Sequence, residues 1–247
     1  MQFFSPKCSS IATLNLCVLA LLASGCTQTK AGEYISSLTS NKTAVHSHVL
    51  VDRSGSALAS DEFPTLIDNV CKGIKEDIKT DDRLTLIPYA AESTVTHTIQ
   101  IDDRLTKLGM CKDQNFTDLL DQHRGVDTVE GTNLQQTLAQ LKPDVSSSPT
   151  DEGNVILLLA HADDQGVGAQ NAIPLAETAA IAEELLSQPN AVLVVFAVDG
   201  QLQRDLKLLL QQHPQARVSA LSEGSIADSL DWAYRTARSP SAQRIER

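Results

Sequence analysis

A chain of 247 residues with 42% hydrophobic and 21% charged residues has the composition of a globular protein with one sizeable core, which excludes disorder overall. The formal charge of −11 argues against nucleic acid or an anionic lipid surface as the main partner, because a phosphate-binding face needs clustered Lys and Arg. No nucleic-acid partner is expected.

The elements begin with a segment to set aside. Lys7 ends a short polar lead, Ile11 to Leu22 is largely apolar, and Ala23-Ser24-Gly25 leads into Cys26, the three-part pattern of a secretory signal over residues 1–25. The apolar run is too short for a transmembrane span. Its ending, LLASGC, resembles the lipobox of bacterial lipoproteins. That resemblance implies a lipidated Cys26 and a protein anchored in the bacterial cell envelope, on its periplasmic or cell-surface side. On the other reading Cys26 is one more apolar residue of the signal, like Cys8 and Cys17. Residues 26–43, rich in Ser and Thr, read as a flexible tether. In an oxidising compartment the two remaining cysteines, Cys71 and Cys111, permit one disulfide, although Cys71 also falls on the apolar side of an expected helix.

A single domain is expected over residues 44–239, followed by a short tail over 240–247. Val45 to Val51 reads as a strand, and Pro64 to Ile78 as a helix with Leu66, Val70, Ile74 and Ile78 four apart. Arg83 to Tyr89 and Ser93 to Ile101 follow as strands, the second alternating with period two. Asn115 to Gln122 and Thr132 to Leu141 offer helices. The runs NVILLL (Asn154 to Leu159) and AVLVVFAV (Ala191 to Val198) are continuous apolar strands, covered on both faces. Helices are expected at Ile173 to Ser187 and Leu202 to Gln212, the latter burying Leu202, Leu206, Leu209 and Leu210. Arg217 to Leu221 is a last strand, and Ser225 to Arg238 a last helix with Ser225 as N-cap and Trp232 in the core. The alternation predicts an α/β fold, a doubly wound and mainly parallel central sheet flanked by helices.

Ligands of such sheets sit beyond the carboxyl ends of the strands. Asp52, Ser54 and Ser56 fall there, in VLVDRSGSA, and three short oxygen side chains at alternate positions suit a hard cation. The same residues also suit a capping turn. Together with Glu130-Gly131-Thr132-Asn133-Leu134, the Asp-x-Ser-x-Ser stretch resembles the metal-ion-dependent adhesion site of von Willebrand factor A domains, and the order of elements from His46 to Arg238 fits that family.

The resemblance implies a Rossmann-like fold, with Asp52, Ser54, Ser56 and Thr132 as ligands of Mg²⁺, Mn²⁺ or Ca²⁺. It also implies a partner protein that presents an acidic residue to the cation. The family's third motif, Thr-Asp-Gly, is replaced by Ala160-His161-Ala162-Asp163-Asp164. Direct alignment puts His161 where the second aspartate stands, and Asp163 is the oxygen ligand expected instead. Imidazole suits a softer metal than Mg²⁺.

The same segment looks like the His-Pro-Asp-Asp-Glu stretch of zinc-dependent sugar deacetylases, which would make His161 and Asp163 the site of a metal-dependent hydrolase. Ala162 and Gln165 depart from that pattern, and that family carries its motif on the first strand. The expected function is therefore protein interaction or adhesion rather than catalysis. A hydrolase, or an interaction domain working without metal, are the alternatives. His46, His48, His97 and His123 are left outside the site, the first three as surface or strand residues.

Overall fold

The protein is described by a computed structural model. The structure describes residues 43–90, 97–100, 104–111, 134–149, 151–161, 175–188 and 190–239. By contact the chain divides into two units, Met1–Asn41 and Lys42–Arg247, and all described residues belong to the second. Residues 1–42, with Cys26, lie outside the described residues, as do Asn115–Gln122, Thr132 and Asp163.

The strands are β1 (Val45–Asp52), β2 (Arg83–Tyr89), β3 (His97–Gln100), β4 (Gly153–Ala160), β5 (Ala191–Ala197) and β6 (Ala216–Ser219). Between and after them lie α1 (Gly55–Ala59), α2 (Phe63–Asp77), α3 (Arg104–Gly109), α4 (Leu134–Ser147), α5 (Leu175–Leu186), α6 (Gly200–Leu210) and α7 (Glu223–Ala237). The sheet order is β3-β2-β1-β4-β5-β6. All neighbours pair in parallel except β2 and β3, so β3 is an antiparallel edge on an otherwise parallel sheet. This is the doubly wound architecture expected from the alternating pattern.

Strand parity sorts the core into two layers. Val45, Val49 and Val51 of β1, with Val155, Leu157 and Leu159 of β4, pack against α2 and α7. Leu50, Ile156 and Leu158 face α4, α5 and α6. The four-residue spacing of α2 works as read: Leu66, Val70 and Ile74 are all buried, as is Ile78 just beyond the helix. Each such side chain contributes on the order of 1.5–3 kcal/mol by leaving water.

Several boundaries differ from the sequence reading. Helix α7 starts earlier because Ser222, not Ser225, is its N-cap: the Ser222 hydroxyl accepts the Ser225 N–H, and Glu223 favours the positive helix end. Helix α4 continues through Pro143 to Ser147, where Val145 is still buried. Burial of that last apolar residue offsets the backbone hydrogen bond that proline cannot make. In α6, Leu202, Leu206 and Leu210 are buried and Leu209 only half so. Trp232 is partly buried against the core, with the Arg217 guanidinium 4.5 Å above its ring.

His46 and His48 are not surface residues. Their side chains point from β1 toward the α4 layer, 6% and 0% exposed, with ring centroids 4.0 Å apart. Cys71 of α2 is joined to Cys111, just after α3, in a disulfide whose Cα atoms are 6.0 Å apart. No helix among the described residues is long and apolar enough to cross a membrane.

Candidate functional site

The chain winds from β1 outward to β3, then returns to add β4, β5 and β6 on the other side of β1. The reversal lies between β1 and β4, the switch point beyond whose strand ends sheets of this kind bind ligands in a crevice. The residues at that point are Asp52, which ends β1, and Ala160-His161, which end and follow β4.

Asp52 is 1% exposed. One carboxylate oxygen accepts the Ser54 N–H at 2.8 Å, and the other accepts the His161 N–H at 3.2 Å, which ties the two strand ends together. Burial pushes the Asp52 carboxyl above its ordinary range, and the hydrogen bonds from Ser54 and His161 pull it back. Beneath the crevice the Tyr89 hydroxyl donates to the Leu159 carbonyl at 3.2 Å, bridging β2 to β4 across β1. The Arg53 N–H continues the ladder to the Tyr89 carbonyl at 2.7 Å.

Ser54, 4% exposed, is the N-cap of α1, its hydroxyl accepting the Ala57 N–H at 3.4 Å. Its oxygen also lies 3.1 Å from that of Ser56, which is exposed at the mouth. The two sequence readings of this stretch, capping turn and oxygen cluster, are thus both present in one loop. The spacing fits a small cation: an octahedral ion with oxygens at about 2.1 Å holds neighbouring ligands about 3 Å apart. No group of three His, Cys, Asp or Glu side chains able to hold a metal occurs among the described residues, so a cation here would have to draw on the hydroxyls beside Asp52. Of the five expected ligands, the structure brings together Asp52, Ser54 and Ser56. Thr132 and Asp163 lie outside the described residues.

The position the sequence left ambiguous is the one the backbone pins most firmly. His161 gives its N–H to Asp52, and its carbonyl accepts the Asp199 N–H at 2.8 Å. Its ring meets Phe63 edge-on, with centroids 6.0 Å apart. Phe63 carried no site signal in the sequence; only the hydrophobic residue just before Pro64, close after the serine loop, could have suggested it.

At the opposite end of the sheet a cavity of about 680 Å³ is lined by His46, Arg83, Thr85, Asp144 and Glu152, among others. Its polar groups satisfy one another: Arg83 makes two hydrogen bonds to Glu152, and His46 shares one with Thr85 at 2.7 Å. It bears the marks of a structural polar floor rather than of a ligand site.

No protein-family model matches the chain, and no curated protein matches it in sequence. Solved structures do match in fold. A von Willebrand factor type A protein from Catenulispora acidiphila superposes with a TM-score of 0.56 at 13% identity, over 80% of this chain and 43% of its own. The pilus adhesin SpaC from Lactobacillus rhamnosus GG gives 0.52 at 11% identity, over 80% of this chain and 31% of its own. The manganese-loaded TRAP protein of Plasmodium vivax gives 0.50 at 14% identity, over 77% and 74%. The chain therefore spans less than half the length of the first two. Identities this low establish a shared fold and no more.

Proposed function

We propose that this chain, which has the von Willebrand factor A fold, is a protein-interaction domain whose crevice at Asp52 holds a divalent cation and through it recognises an acidic residue of a partner. In this reading residues 44–239 form the domain, and residues 26–43 tether it to a lipidated Cys26 once residues 1–25 are removed. The protein would then stand in the bacterial cell envelope, facing the periplasm or the cell surface.

The observation that carries the cation is the loop after β1. It holds a nearly fully buried carboxylate beside two hydroxyl oxygens 3.1 Å apart, at the sheet's switch point. A buried carboxylate with no cation nearby bears a desolvation penalty, and an ion there would offset it. Asp52, Ser54 and Ser56 would hold the ion, with Thr132 and Asp163 supplying further oxygens; Mg²⁺, Mn²⁺ and Ca²⁺ accept such ligands. A bound ion supplies a positive centre for a partner carboxylate. The protein's own part is to fix Asp52 through the Ser54 and His161 N–H groups and to leave Ser56 exposed at the mouth. The manganese-loaded TRAP protein and the SpaC adhesin share the fold and support this direction.

The test is calorimetric titration of the metal-stripped protein with Mg²⁺, Mn²⁺, Ca²⁺ and Zn²⁺ beside Asp52→Ala. Binding at one site that Asp52→Ala weakens by at least about tenfold is expected. Divalent binding that ignores Asp52, or none at all, would sink the cation and leave an interaction domain whose Ser54 serves only as the α1 cap.

A further inference from the structure

We infer that His161 is a nitrogen ligand of this same cation site, so that the site prefers a first-row transition ion such as Zn²⁺ or Co²⁺ to Mg²⁺. The inference rests on the cation reading above and deepens it by naming the class of metal. Three features of the structure motivate that role.

The first is backbone position. The His161 N–H reaches the Asp52 carboxylate and its carbonyl is held by Asp199, so Cα is fixed one residue beyond β4 at the edge of the crevice. The second is direction. Along β4 the odd positions Val155, Leu157 and Leu159 face the α2 layer. His161 continues that row, and its ring meets Phe63, which opens α2, the helix that follows the serine loop and α1. The third is an unmet need: the His161 Nδ1 atom is buried and has no hydrogen-bond partner among the described residues. A buried polar atom left without a partner costs about 1–3 kcal/mol, and in a native site such an atom calls for an unseen water or ion.

The donor set then decides the metal. Mg²⁺ demands oxygen ligands in near-ideal octahedral array and sheds water reluctantly, so an imidazole in place of a carboxylate weakens it. Neutral imidazole suits Zn²⁺, Ni²⁺ and Co²⁺, whose affinities for mixed nitrogen and oxygen sites exceed that of Mn²⁺. Exchanging one anionic ligand for a neutral one also lowers the negative charge around the ion, which leaves it more attractive to a partner carboxylate.

The experiment titrates the full, metal-stripped chain with Zn²⁺, Co²⁺ and Mg²⁺ by calorimetry and records the visible spectrum of the Co²⁺ form. It compares the unsubstituted protein with His161→Ala, His161→Asp and Asp52→Ala. Zn²⁺ and Co²⁺ are expected to bind one per chain and at least about tenfold tighter than Mg²⁺. His161→Ala is expected to weaken Zn²⁺ by about 10–100-fold and to shift the Co²⁺ bands, with Mg²⁺ little changed. His161→Asp should reverse the preference.

If Asp52→Ala abolishes binding while His161→Ala leaves Zn²⁺ affinity and the Co²⁺ spectrum untouched, the cation site stands and the role of His161 falls. Zn²⁺ binding that survives Asp52→Ala overturns both. Should the His161 variants fail to fold, proton NMR of the unsubstituted Co²⁺ form tests the same ligand directly. Strongly displaced His161 ring resonances support ligation, and undisplaced ones refute it.

Discussion

Gly153 opens β4 beneath the end of α7, and a methyl group there would run into the backbone carbonyl of Ala237. A side chain can rotate away from such a contact; the carbonyl of a helix's last residue moves only with the end of that helix. Gly153→Ala should therefore cost about 1–3 kcal/mol through overpacking. Gly224→Ala, whose added carbon meets nothing within 4 Å, should stay within about 0.5 kcal/mol of the parent. Urea denaturation midpoints of the two variants decide the point, and equal midpoints would show that the α7 end yields freely. Gly73 makes a similar close approach inside α2, facing the buried Leu230 side chain of α7. Neither glycine could be read from the sequence. Asp52, Ser54 and Ser56 could be, because a candidate oxygen cluster is a matter of residue type and spacing. A close approach between elements far apart in the chain depends on the finished packing.

Among the elements, β1 shows what period-two and apolar patterns convey and what they miss. Its position and length were legible from Val45 to Val51, and its central place in the sheet buries all eight of its residues. The burial of His46 and His48 was not legible, since histidine at alternate positions equally suits an exposed strand face. Their environment is a polar layer inside the core: His48 shares a hydrogen bond with Asn154 at 3.2 Å, and Ser148 donates to the same Asn154 oxygen. Burial, with their mutual repulsion and Arg83 adding to it, pushes His46 from 6.5 down to about 3. Burial likewise takes His48 to about 4, against the pull of Asn154 and Asp144. In the unfolded chain both imidazoles take protons as pH falls through 6.5, whereas in the folded chain they resist until about 3–4. The unfolded state thus binds more protons in that window, and stability, full above pH 6.5, falls on acidification. Asp77, raised to about 6 chiefly by burial, acts the other way, since the folded state holds its proton longer. Asp52, also raised by burial, acts in the same sense as Asp77, but the two imidazoles start to cost stability already at pH 6.5 and leave a net loss. Urea midpoints measured from pH 7 to pH 4.5 should fall, and the fall should shrink in His46→Gln/His48→Gln. An unchanged slope in the double variant would place the acid sensitivity elsewhere.

For the whole molecule, the alternation of strands and helices was enough to reach the doubly wound sheet, because crossover handedness and short connections leave few other ways to arrange it. The crevice followed from that topology, since the switch point falls where Asp52 ends β1. The partner of Asp52 across the crevice did not follow. A motif comparison sees only that His161 replaces an acid, while the structure shows its backbone N–H already bound to Asp52. One long-range link was foreseeable as a possibility and is present: Cys71 to Cys111, across a sequence separation of 40 residues. It ties α2, which carries Phe63 beside the crevice, to the segment that follows β3 on the edge of the sheet. Closing a loop of that length restricts the unfolded chain by about 4 kcal/mol in the chain-entropy account, which for a domain of this size corresponds to on the order of 10 °C. Thermal unfolding of the unsubstituted protein with and without a thiol reductant is therefore expected to separate by about that much, and Cys71→Ala/Cys111→Ala should lose all sensitivity to the reductant. Because the sulfur of Cys71 is also buried, the double variant should melt somewhat below the reduced parent, the difference being the cost of an emptied site in the α2 layer. A parent protein whose transition ignores the reductant would mean that the two thiols pack side by side without a bond, and that α2 is held to the sheet by its apolar face alone.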